Sequence, residues 1–163
     1  MARVFTPETR AAAERVVLGI REVMAERLQA LDWMSAPTRA RALEKLTSMR
    51  DKIGYPEVSR DYSALAVDRR DFFGNVRRAT EFEQRRRLAQ IGKPIDRGEW
   101  EMTAPTVNAY YNASMNDMNF PAGVLLPPLF DPKMDDAPNY GNTGGTIGHE
   151  LTHGFDDEGR QFD

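Results

Sequence analysis

The sequence predicts a mainly α-helical protein with a small β segment. Over residues 1–94, apolar side chains recur at helical spacing between recognisable helix starts and stops. From residue 95, short runs of β-branched and aromatic residues alternate with proline and asparagine, which is typical of strands and loops. Helical spacing returns near the end of the chain. We therefore divide it into a helical part, residues 1–94, and a second part, residues 95–163, with a β segment and a final helix.

Three helices are predicted in the first part. The first begins at Thr6, because a hydroxyl residue followed by proline and glutamate is a typical helix start. The second follows a break at a proline, and its apolar face extends to Ile53. The third is capped by Asp68 and ends before Gly92, since glycine followed shortly by proline stops a helix.

The second part is predicted to contain three short strands, over residues 100–103, 107–111 and 118–125. Pro121 interrupts the last of them. Proline cannot donate a ladder hydrogen bond, so this strand is expected at the edge of a sheet rather than at its centre. The final helix is placed at roughly residues 143–154.

Composition narrows the function classes. The net charge is -3, and the basic run Arg85–Arg87 lies beside glutamates, so a solvated helix face explains it better than a nucleic-acid surface. No stretch is long and apolar enough to span a membrane, and the first residues lack the apolar core of a signal peptide. The absence of cysteine excludes disulfides and thiolate ligands, and it leaves the compartment open.

The final helix contains the pattern H-E-x-x-H. His149 and His153 are four residues apart, so both imidazoles lie on one helix face and can reach one metal ion. They are the only two histidines in the sequence. Neutral imidazole suits zinc, which activates water at neutral pH, and Glu150 would act as the general base for that water. The pattern alone also fits an accidental pair of surface histidines.

A catalytic zinc usually has a third protein ligand. The sequence contains no third histidine. One large class of zinc peptidases has its third histidine six residues after the second, but here that position is Gly159. A carboxylate from a helix beyond Asp163 is the remaining choice. Asp156 lies on the metal-facing side if the helix persists, so it could accept the distal N–H of a zinc-bound histidine. The alternative for Asp156 is a solvated acidic turn.

Further segments surround this pattern in a characteristic order. They are Val107 to Tyr111, Asn119 to Leu125, Pro127-Pro128, Asn139 to Gly141 and Ile147 to Asp163. With Ile53-Gly54-Tyr55-Pro56 and Lys93-Pro94 upstream, they closely resemble the neprilysin and endothelin-converting-enzyme family of zinc metallopeptidases. The resemblance implies a zincin, or thermolysin-like, catalytic-domain fragment with the H-E-x-x-H helix at its C-terminal end.

The resemblance also implies roles for individual residues. His149 and His153 match the zinc-binding histidines, Glu150 the catalytic glutamate and Asp156 a residue that supports them. Asn108 and Ala109 match the segment that binds the substrate backbone, which agrees with an exposed strand edge that can pair with an extended peptide. The alternative for Asn108 is a turn residue at a strand end. Tyrosines 110 and 111 could line the cleft, but aromatic residues on a strand are more often buried in the core, so we leave them out of the catalytic set.

The family's third zinc ligand is a glutamate in a later segment, and all of its further catalytic residues lie beyond Asp163. We therefore expect an internal fragment of a zinc metalloendopeptidase that acts on peptide substrates, and we expect the isolated chain to be inactive. The resemblance suggests an extracytoplasmic or membrane-associated protein of bacterial type. Two alternatives stay open: a non-catalytic binding module that retains the pattern, and a zinc aminopeptidase.

Overall fold

The structure, a computed structural model, describes residues 4–162. The outermost residues of the two predicted parts, 1–3 and 163, lie outside this range. The chain forms two compact units, one made of Met1–Pro56 with Trp100–Asp163 and the other of Glu57–Glu99. The predicted division into functional parts at residue 94 stays a prediction. The predicted fold class, mainly helical with a small sheet, is confirmed.

Two helices begin the larger unit. Helix α1 spans Pro7–Ala30 and starts where predicted, because the Thr6 side chain accepts a hydrogen bond from the backbone N–H of Thr9. One face of α1 enters the core of the unit, where Val17 is 2% exposed. Helix α2 spans Ala36–Ser48, with Ser35 as its cap.

The predicted extension of the second helix to Ile53 is wrong. The chain becomes extended at Met49, and Arg50–Gly54 forms strand β1. Ile53 is buried, but in this strand rather than on a helix. Its pairing partner lies far along the chain, so local periodicity gives no sign of the strand.

A three-stranded sheet lies beside these helices, with the order β1-β3-β2. Strand β2 is Tyr110–Asn112 and strand β3 is Asp117–Pro121. Strand β3 pairs parallel with β1 and antiparallel with β2, so β2 lies at one edge. The C-terminal part of the larger unit adds helix α4, Asp136–Asn139, a π-helical turn, Tyr140–Gly144, and helix α5, Gly145–His153.

Several strand predictions need correction. The strand predicted over 107–111 begins only at Tyr110 and ends at Asn112. Residues 100–103 form no strand. The strand predicted over 118–125 ends at Pro121 and continues as a 3-10 helix, Ala122–Leu125. This strand is central rather than at an edge, and proline is tolerated there because it occupies the last position.

The smaller unit contains helix α3, Phe72–Leu88. Its cap is Asp71 rather than the predicted Asp68, and the Asp71 carboxylate accepts the N–H of Gly74 at 2.8 Å. The basic run of α3 is only partly solvated, because Arg86 donates to Glu99 at 2.6 Å within the same unit. Within residues 4–162, no helix has the length and apolar character needed to cross a membrane.

Candidate metal and substrate site

Helix α5 presents two different faces. Ile147 and Leu151, four residues apart, are 0% and 2% exposed and anchor the helix in the core. His149 and His153 repeat the same spacing on the side that faces a cleft. Because the apolar pair fixes the rotation of the helix, the two imidazoles are directed to one point. Their Nε2 atoms lie 3.1 Å apart.

The carboxylate of Asp156 contacts the His153 imidazole at its Nδ1 atom. Its Oδ2 atom lies 2.7 Å from Nδ1 of His153. The backbone N–H of Gly159, followed by the contact with His153, lowers the pKa of Asp156. An ionised carboxylate only accepts hydrogen bonds, so the His153 Nδ1 atom is the donor in this contact. In a neutral imidazole bonded in this way, Nε2 keeps its lone pair. The sequence-based position of Asp156 beside a histidine therefore agrees with the geometry.

Glu150 lies between the two histidines in sequence and is 6% exposed. Burial raises the pKa of this carboxyl, while the two histidines and a backbone hydrogen bond with Tyr111 oppose the shift. The contact with Tyr111 ties α5 to strand β2. A buried carboxyl of raised pKa next to paired imidazoles is suited to accept and return a proton.

A cleft of about 460 Å³ brings all six predicted site residues together. Its lining consists of Asn108, Ala109, Tyr110, Tyr111, Ala113, His149, Glu150, His153, Asp156, Glu158, Gly159 and Phe162. Asn108 is exposed and Ala109 is buried, directly before β2. The segment that precedes the edge strand thus forms one wall, and α5 forms the other.

Several lining residues were absent from the predicted site. Tyrosines 110 and 111 line the cleft and are half-buried. Tyr111 also packs against the core, and its hydroxyl donates to Asn116 at 2.9 Å. Their polar hydroxyl groups are a signal that a sequence argument could have used. After the helix, Gly159 begins a short 3-10 turn, Gly159–Gln161, and Phe162 directly follows that turn. No local pattern in the sequence points to them.

The donor set fits part of a zinc site. Two nitrogen ligands of a tetrahedral zinc, each about 2.0–2.1 Å from the ion, lie about 3.3 Å apart. The observed 3.1 Å between the two Nε2 atoms is close to that separation. Among residues 4–162, no group of three or more histidine, cysteine or acidic side chains is arranged to hold a metal ion.

Comparison with known proteins identifies the family. Two sequence profiles, both described as Peptidase family M13, match residues 108–163 and residues 1–56. The two ranges together include more than half of the chain. The range 108–163 contains β2, β3 and α5, and the range 1–56 contains α1, α2 and β1. The chain belongs to peptidase family M13, and the resemblance found in the sequence is confirmed.

Individual relatives agree with this assignment. Human neprilysin is 37% identical over an alignment of 166 positions, which covers 97% of this chain and 22% of neprilysin. The zinc metalloprotease Zmp1 of Mycobacterium tuberculosis has a TM-score of 0.90 at 48% identity, over 95% of this chain and 24% of Zmp1. PepO from Lactobacillus rhamnosis has a TM-score of 0.90 at 35% identity, over 98% of this chain and 26% of PepO. The chain spans about a quarter of the length of these relatives.

Proposed function

We propose that this chain is the zinc-binding and substrate-binding segment of a metalloendopeptidase that hydrolyses peptide bonds. The observation that carries the proposal is the convergence of His149 and His153 in a cleft whose other wall precedes an edge strand. Membership of peptidase family M13 supports the reaction class. In this proposal His149 and His153 are the metal ligands, and Glu150 is the catalytic residue.

Zinc bound to the two histidines would polarise the scissile carbonyl and lower the pKa of the attacking water. Glu150 would accept the proton of that water on its carboxylate and pass a proton to the leaving amine. Burial raises the pKa of Glu150, which makes its carboxylate a stronger base towards the water. Asp156 would keep His153 in the tautomer that leaves Nε2 available.

The peptide substrate would lie along the edge of the sheet. Among residues 4–162, strand β2 pairs with β3 on one side only. The part of its outer side that does not bond Glu150 is therefore available for a further strand. Asn108 and Ala109 precede β2 at the same wall of the cleft. The exposed amide of Asn108 offers both a donor and an acceptor to a peptide backbone. An extended peptide bound there would have its carbonyl groups beside the histidines.

The proposed site is incomplete within this chain. One zinc ion is expected, and we propose that its third protein ligand is a carboxylate from a helix beyond Asp163. The isolated chain should therefore bind zinc weakly and hydrolyse nothing. By analogy with the neprilysin family, the whole protein is proposed to act outside the cytoplasm or at a membrane.

A chimera tests the proposal. This chain replaces the corresponding quarter of Zmp1, and cleavage of an internally quenched peptide with blocked termini is measured. We expect chelator-sensitive cleavage, retention of zinc in the Glu150→Gln variant, and a loss of turnover of about 10²-fold or more in that variant. Cleavage that the variant retains would overturn the role of Glu150. Cleavage restricted to peptides with a free amino terminus would support an aminopeptidase instead.

A further inference from the structure

Lys45 lies on helix α2, outside the cleft that holds the proposed site. Its Nζ atom donates to the backbone carbonyl of Gly159 at 2.6 Å and to the carbonyl of Phe162. These partners lie 114 and 117 positions further along the chain. An ammonium group provides strong, charge-assisted hydrogen bonds to such carbonyls. Lys45 therefore fastens the turn that follows helix α5.

Gly159 transmits this contact towards the proposed metal site. Its backbone N–H donates to Oδ1 of Asp156 at 2.7 Å. The other carboxylate oxygen, Oδ2, lies 2.7 Å from Nδ1 of His153. The carbonyl oxygen of Gly159 thus accepts a hydrogen bond from Lys45, and the N–H of Gly159 donates to Asp156. Asp156 in turn contacts His153.

Only glycine fits at position 159. A Cβ atom there would overlap the carbonyl oxygen of His153 and would lie 2.7 Å from the carbonyl carbon of Gly154. The turn therefore packs directly against the last residues of α5. This close approach makes the path from Lys45 to His153 short and rigid, with no side chain between the turn and the helix end.

We propose that Lys45 is a positioning residue for His153. It fixes the turn that orients Asp156, and Asp156 in turn holds His153 in the Nδ1–H tautomer with Nε2 directed towards the metal. This inference rests on the proposed zinc site. Direct partners of metal-bound histidines change metal affinity by about 10–100-fold. Because Lys45 acts through two intermediates, we expect a smaller change of about 3–10-fold.

The chain is suited to a spectroscopic test because it has only two histidines. Imidazole 15N–1H spectra of the isotope-labelled 163-residue chain report the tautomer of each ring, with His149→Gln assigning the signals. In Lys45→Met we expect His153 to lose its predominant Nδ1–H tautomer and the zinc dissociation constant to rise. Lys45→Arg should preserve both properties, since a guanidinium can donate to two carbonyls. The control Lys133→Met changes an exposed lysine.

A double-variant cycle separates positioning from general stability. If Lys45 acts through Asp156, Lys45→Met should weaken zinc binding in the unaltered chain but have no further effect in Asp156→Asn. Additive effects on zinc affinity would overturn the proposal, as would an unchanged His153 tautomer in Lys45→Met. If Lys45→Met does not fold, Lys45→Gln is used in the same cycle and judged by the same outcomes.

The Zmp1 chimera distinguishes failure of this inference from failure of the proposed function. Absence of chelator-sensitive cleavage in the unaltered chimera would refute the peptidase function. The tautomer of His153 in the Lys45 variants is measured without zinc and without turnover. A normal tautomer in Lys45→Met, together with an active unaltered chimera, would refute only the positioning role.

Discussion

Replacing Arg21 with methionine should destabilise the protein strongly. The Arg21 side chain links α1, α2 and β1, because it donates to Asp51 at 2.6 Å and to the carbonyl oxygens of Leu46 and Met49. Both charged side chains are only 17% exposed. Methionine preserves most of the aliphatic volume, so the main effect is a buried carboxylate without its counter-charge.

The magnitude follows from the ion pair. Removing one partner of a buried ion pair lowers the free energy of unfolding by about 3–5 kcal/mol. Because the Arg21 and Asp51 side chains keep some contact with solvent, we expect a loss at the lower end, about 3 kcal/mol, for Arg21→Met. A 163-residue domain has on the order of 8–24 kcal/mol of total stability. The variant should therefore fold, with a clearly lower urea midpoint by circular dichroism and an unchanged slope.

The loss should depend on pH. Burial raises the pKa of Asp51, and the charge and hydrogen bond of Arg21 offset only part of the shift. Without Arg21 the pKa rises further. A carboxyl with a raised folded-state pKa favours folding below its unfolded value, near 3.8, and this contribution is lost as the pH rises through the folded-state value. Arg21→Met should therefore lose more stability at pH 7 than at pH 4.

Two comparisons test the reasoning. The double variant R21M/D51N removes the unpaired charge and should be about 1–2 kcal/mol more stable than R21M at pH 7. The control R41M breaks an exposed pair with Glu44, whose side chains are 78% and 67% exposed, and should cost about 0–1 kcal/mol. If R21M costs no more than R41M, or the double variant is less stable than R21M, the buried-charge argument fails.

Three further predictions concern the core, a close approach and pH. Ile147→Ala should lower the free energy of unfolding by about 2–5 kcal/mol, because this residue is 0% exposed. Gly123→Ala should cost about 1–3 kcal/mol, because its Cβ would lie 2.5 Å from the carbonyl oxygen of Pro105. Burial raises the pKa of Glu99, but hydrogen bonds from Arg86 and Gln90 lower it overall. The protection factors of the α3 amides, corrected for the intrinsic exchange rate, should therefore fall as the pH falls below 4.5.

Each of these has a matched control. Ile147→Val should cost only about 0.5–1.5 kcal/mol, and equal losses for valine and alanine would contradict the packing argument. Gly141→Ala places its Cβ where no atom lies within 4 Å, so a loss as large as that of Gly123→Ala would remove the steric explanation. Glu99→Gln should abolish the fall of the protection factors in acid; an unchanged pH profile in that variant would assign the effect to other groups.

The sequence was sufficient for the parts of the candidate site that are local. His149, Glu150 and His153 share one helix, so their spacing alone places them together. Asp156 follows within one turn, and its contact with His153 could be anticipated for the same reason. Asn108 has no such local relation to the helix. Its place in the same cleft came only from the resemblance to a family.

The remaining features depend on contacts between distant parts of the chain. Strand β1 was mistaken for the end of a helix, because its pairing with β3 has no local signature. The role of Lys45 depends on carbonyl groups more than a hundred positions away. The need for glycine at position 159 appears only once the turn is packed on α5. Tertiary packing, rather than propensity, decides each of these features.

The parallel pairing of β1 with β3 has a consequence for synthesis on the ribosome. Register partners Arg50 and Asp117 lie 67 positions apart, and at about 5–20 residues per second the second strand emerges roughly 3–13 s after the first. During that interval the backbone N–H and C=O groups of β1 lack their sheet partner. The nascent chain therefore presents a temporary strand edge, and a chaperone or a slow translation rate would influence how many molecules complete the sheet.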